Sequence, residues 1–110
     1  MNYPTIAKIK EIKQESAEIK TFLFDYPKKT IPGQFFMIWI PGVDEVPMSV
    51  SYITKKIKGF TFRNVGEATD KLCRLQTGDK IGVRGPYGNG FRINGIYLTE
   101  FSLNDDGQSS

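Results

Sequence analysis

The chain has 110 residues, a net charge of +3, one cysteine and no histidine, and its 15 basic residues are interleaved with 12 acidic ones. One domain with one core suits that length, and the interleaved charge disfavours a nucleic-acid partner. Cys73 alone cannot form an internal disulfide or a multi-thiolate metal site, and catalytic triads and histidine metal centres are excluded.

The first segment, "IAKIKEIK" (6–13), fits neither the helical nor the strand period cleanly. Pro4 and the β-branched content favour a strand. Glu15-Ser16-Ala17 reads as a turn. "EIKTFLFDY" (18–26) alternates, with Ile19, Thr21, Leu23 and Asp25 on one face and Lys20, Phe22, Phe24 and Tyr26 on the other. Lys28-Lys29 and Lys55-Lys56 read as solvated turn ends. "QFFMIWI" (34–40), between Pro32-Gly33 and Pro41-Gly42, is apolar on both faces and predicts a strand buried on both sides. "MSVSYIT" (48–54) predicts the fourth strand, Lys58-Gly59 a turn, and "FTFRNV" (60–65) the fifth strand.

The period then changes. Ala68, Leu72 and Leu75 stand at helical spacing, with Cys73 beside the stripe, predicting a helix over about 66–76. Glu67 and Asp70 in its first turn and Lys71 and Arg74 in its last suit the helix dipole. Gly78 is the expected C-terminal cap. "KIGVRG" (80–85) returns to strand and leads into "GPYGNGF" (85–91), a tight turn. The sum is an all-β fold, a six-stranded antiparallel barrel with one short helix. The expected division is a barrel domain over 1–95 and a polar, fraying tail over 96–110. No stretch reaches the ~20 apolar residues of a membrane span, and no early apolar run suits a signal peptide. The expected location is cytoplasmic.

Three stretches carry candidate chemistry. At Gly66–Thr69 a strand runs through glycine into a helix start, whose free amides suit a phosphate. Thr69 is either a ligand hydroxyl or a local cap. Ser49 and Ser51 share one face of the fourth strand, where Pro47 and Met48 offer an apolar surface to a flat ligand; two ordinary wall serines are the plainer alternative. Phe35, Phe36, Trp39, Tyr52, Phe60, Phe62, Tyr87 and Phe91 are core by default, or stacking platforms for single-stranded nucleic acid.

In order, "PGQFFMIWIPGVDEVPMSVS", "FRNVGEAT" and "GDKIGVRGPYGNGF" resemble the flavin-binding barrel of the ferredoxin-reductase superfamily. Within it, the likeness is to the branch of the archaeal dihydroorotate dehydrogenase electron-transfer subunits. The resemblance covers residues 3–91 and implies a Greek-key barrel that binds FAD, with FMN as the alternative. It places Pro47, Met48 and Ser49 against the isoalloxazine and Thr61, Phe62 and Arg63 along the flavin and ribityl chain. It assigns the pyrophosphate to Gly66, Glu67, Ala68 and Thr69. No catalytic acid, base or metal ligand is implied.

The chain departs from the family pattern in two places. Val46 stands where the family has an arginine, and Arg63 is a candidate replacement charge. After Phe91 the sequence carries neither a glycine-rich dinucleotide fingerprint nor cluster cysteines, so no NAD site and no iron–sulfur cluster are expected from this chain. The expectation is an oxidoreductase component rather than a complete enzyme, served by a partner redox subunit or a second copy. The alternatives are a barrel that has lost flavin and serves as an interaction module, and a small nucleic-acid-binding barrel.

Overall fold

The computed structural model describes residues 3–89, together with the backbone of Arg92–Ile93 and Ile96–Tyr97. Six strands close into one antiparallel barrel: β1 (Thr5–Gln14), β2 (Ile19–Asp25), β3 (Phe35–Trp39), β4 (Glu45–Ile53), β5 (Ile57–Arg63) and β6 (Lys80–Tyr87). Their order around the barrel is β1-β2-β5-β4-β3-β6, a Greek-key arrangement, and α1 (Glu67–Cys73) lies between β5 and β6 in sequence. Beyond the barrel, β7 (Arg92–Ile93) pairs with β8 (Ile96–Tyr97). Phe91 and the tail from residue 98 lie outside the described residues.

Closure depends on β1, which pairs with β6 through Thr5–Lys8 and with β2 through Ile9–Gln14, bending at a bulge between Ile9 and Glu11. The alternating face of β2 supplies the core, where Phe22, Phe24 and Tyr26 pack with Phe36, Phe60 and Phe62. These rings meet edge-on or tilted, as between Phe22 and Phe62 with centroids 5.1 Å apart. Leu72 of α1 is fully buried in this cluster, with Ala68, Cys73 and Leu75 packed beside it, so the helical stripe closes one end of the barrel.

Five expectations change. "QFFMIWI" is not buried on both sides: Phe36 and Ile38 point inward, whereas Phe35 and Met37 are half-buried and Trp39 is 37% exposed. A single-layer barrel has only one interior. Lys58-Gly59 is not a turn but lies inside β5, the turn being made by Thr54–Lys56. The helix ends at Cys73, with Arg74 at its C-cap. Gly78 is not that cap; with φ +97° it belongs to the turn closed by the Asp79 N–H donating to the Gln76 carbonyl. Finally, β6 runs past Gly85 to Tyr87 before the chain turns. Phe35 pairs with Tyr87 and Met37 with Arg84, so Gly85 and Pro86 together face Phe36 in a bulge. Gly85 takes φ +115° there, and proline's missing N–H is tolerated at a bulge.

Candidate functional site

The site is set by where a ladder stops. Pairing between β4 and β5 ends at Val50–Phe60. Beyond that pair, Glu45–Ser49 pairs with β3 and Thr61–Arg63 with β2. The two strands diverge and leave an opening in the wall, which α1 approaches from the β5 side. On the outer face of this opening stand Pro47, Ser49, Thr61 and Arg63, all exposed. The structure thus brings four of the expected residues to one surface. Met48 and Phe62 alternate inward instead. Met48 packs against the core, and Phe62, 5% exposed, is part of it. They support the opening from beneath.

The Gly66 turn continues this surface. Gly66 is extended and exposed, and a Cβ placed on it would meet nothing within 4 Å, so the approach to its backbone is open. The amides of Glu67, Ala68 and Thr69 begin the helix and have no acceptor among the described residues. Thr69 is a local cap. Its hydroxyl accepts from the Val65 N–H at 2.9 Å and the Gly66 N–H at 3.0 Å, and donates to the Gly66 carbonyl at 3.1 Å. Glu67 and Ala68 also line an open cleft of about 540 Å³ with Gly42, Val43, Asp44 and Val46. The β3–β4 turn residues in that lining carry no signal in the sequence, because only the fold brings them to α1.

Among the described residues no cation lines this cleft. Arg63 instead pairs with Glu18 at 3.1 Å, with both side chains more than half exposed, a pair held weakly enough to exchange for another anion. Farther along β4, Arg84 grips Glu45 through two hydrogen bonds, one at 2.6 Å from Nε. The guanidinium holds the Glu45 carboxyl below the usual carboxylate range, and Glu45 in turn raises Arg84. Beside the opening a chain of side chains, Glu15, Thr21, Thr61 and Ser51, crosses the outer face of β2, β5 and β4. Of these, Ser51 is read from the alternation of β4 and Thr61 is implied by the family resemblance; Glu15 and Thr21 are joined to them only by strand register.

No protein-family model matches the chain. Among curated proteins it is 50% identical over 94 residues to the probable dihydroorotate dehydrogenase B (NAD(+)) electron transfer subunit of Methanocella arvoryzae, covering 84% of this chain and 35% of that protein. The protein of the same name from Methanothermobacter thermautotrophicus is 46% identical over 99 residues, covering 86% of this chain and 37% of its own length. The chain therefore spans about a third of the length of these relatives. Among solved structures, an NADH-dependent reduced ferredoxin-NADP oxidoreductase, described for flavin-based electron bifurcation, superposes with a TM-score of 0.74 at 25% identity, over 84% of this chain and 38% of its own. An Amycolatopsis cytochrome P450 reductase shares the fold at a TM-score of 0.72 and 21% identity, over 86% of this chain and 30% of its own.

Proposed function

Because this chain carries a ferredoxin-reductase-type barrel and is a homologue of dihydroorotate dehydrogenase electron-transfer subunits, we propose that it is a flavin-binding electron-transfer module. The observation that carries the reading is the divergence of β4 and β5 beside an open helix start. The ring lies over Pro47 and Ser49, with Met48 and Phe62 packed behind it. The ribityl chain follows Thr61 and Arg63. The Gly66 turn and the amides of Glu67 and Ala68 take the phosphates, while Thr69 holds that turn in shape. FAD is the flavin of choice, because the open cleft beyond Ala68 offers room past the first phosphate.

The flavin supplies the redox chemistry; the chain binds and orients it. Electrons pass to a partner redox subunit, in keeping with the subunit names of the relatives. Absorbance after incubation with FAD and desalting tests the proposal: retained flavin bands support it, and a colourless protein refutes it. A second reading is favoured by Val46, Asp44 and Glu67, which give the cleft no positive charge. In it the barrel holds no flavin and serves as a subunit-interaction module. The same experiment separates the two.

A further inference from the structure

The chain Glu15, Thr21, Thr61 and Ser51 has a fixed sense. Thr21 Oγ1 lies 2.8 Å from Glu15 Oε2 and 2.7 Å from Thr61 Oγ1, and Thr61 Oγ1 lies 2.9 Å from Ser51 Oγ. A carboxylate only accepts, and each hydroxyl has one proton to give. Thr21 therefore donates to Glu15, Thr61 to Thr21, and Ser51 to Thr61. Ser51 is left with lone pairs and no free proton at the β4 end, next to the opening between β4 and β5. Strand register and burial hold the four side chains together. Thr21 pairs directly with Thr61 across β2 and β5, Thr21 is only 6% exposed, and Ser51, on the same face of β4 as Ser49, sits in the bulge between Val50 and Tyr52.

We infer that Glu15 polarises this hydroxyl chain so that Ser51 is an acceptor-only contact, making the site selective for a ring edge that presents an N–H donor. This rests on the flavin reading above. Reduction of a flavin converts a ring nitrogen from acceptor to N–H donor. The oxidised ring would meet Ser51 lone pair to lone pair, and the reduced ring would donate to it. Ser51 is a specificity-determining contact, and Glu15, Thr21 and Thr61 act through it as positioning residues.

The test is the ratio of affinities for reduced and oxidised FAD, read as the shift of the bound flavin's midpoint potential. Ser51→Ala and Thr21→Val both leave the Glu15 charge in place. Each is expected to lower the reduced-to-oxidised ratio about three- to tenfold, a drop of up to about 30 mV for the two-electron couple, without weakening the oxidised form. A ratio unchanged or raised in both variants overturns the selectivity. A wild-type protein that takes up neither form refutes the flavin reading and the selectivity with it. The chain itself is then read in the flavin-free protein by proton NMR. A protected Thr21 hydroxyl resonance that is lost in Glu15→Ala upholds its sense, and its absence from the wild type overturns it.

Discussion

Lys58 is 1% exposed in the barrel wall, and its ammonium donates to the carbonyls of Tyr26 at 2.9 Å, Thr54 at 2.7 Å and Lys55 at 3.2 Å. Burial pushes its pKa down from 10.5 to about 8. Below pH 8 the side chain is protonated in both folded and unfolded states, so its desolvation cost is constant. Between pH 8 and 10 the unfolded chain keeps the proton that the folded one releases, so this residue's contribution to stability rises with pH, by at most about 3 kcal/mol. Chemical denaturation of wild type and Lys58→Met across that range is expected to show a stability difference shifting in favour of the wild type as pH rises. A pH-independent difference contradicts this. The neighbouring Gly59 is held by contact rather than by backbone angle. A Cβ there would lie 2.5 Å from Leu23 Cδ2 and 2.9 Å from the Phe22 carbonyl oxygen. Gly59→Ala is expected to cost about 1–3 kcal/mol in urea unfolding, and an unchanged midpoint refutes the crowding. The sequence reads Lys58-Gly59 as a turn because those residue types favour one. The carbonyl cage and the pressing leucine leave no mark on composition.

At the scale of elements, bulges decide what was legible. The inward positions of β1 are Ala7 and Ile9, and then, past the bulge, Ile12, which packs against the core one step out of phase. That shift is why residues 6–13 fit neither period. The strict alternation of β2 and the Ala68–Leu72 spacing were readable because no bulge interrupts them. The overrun of β6 was not, since Gly85-Pro86 carries a turn composition inside a strand. The start of α1 depends on Thr69, whose hydroxyl takes up two amides. Thr69→Val is expected to lower stability by about 1 kcal/mol in thermal unfolding, and Thr69→Ser to restore most of it. Equal stability of the wild type and the valine variant contradicts the cap.

For the molecule as a whole, regular strand spacing followed by one helical segment was enough to reach a six-stranded barrel. The opening between β4 and β5 was not readable in that way, because it depends on where a ladder ends, and register is a property of the folded sheet. The candidate residues therefore emerged as a set only through their family resemblance. The structure divides that set into an outer row of Pro47, Ser49, Thr61 and Arg63 and an inner support of Met48 and Phe62. The same single-layer geometry explains why Trp39 stays partly in solvent although its strand is apolar throughout.

A flavin in this opening would place its phosphates at the Gly66 turn. Titration of FAD into isotopically labelled protein, followed by backbone amide shifts, tests it most directly. The largest changes are expected at Ser49, Thr61, Arg63 and Gly66–Ala68, with β1 and β6 little affected. Saturable shifts centred on the outer face of β1 and β6, or no shifts at saturating FAD, would contradict it.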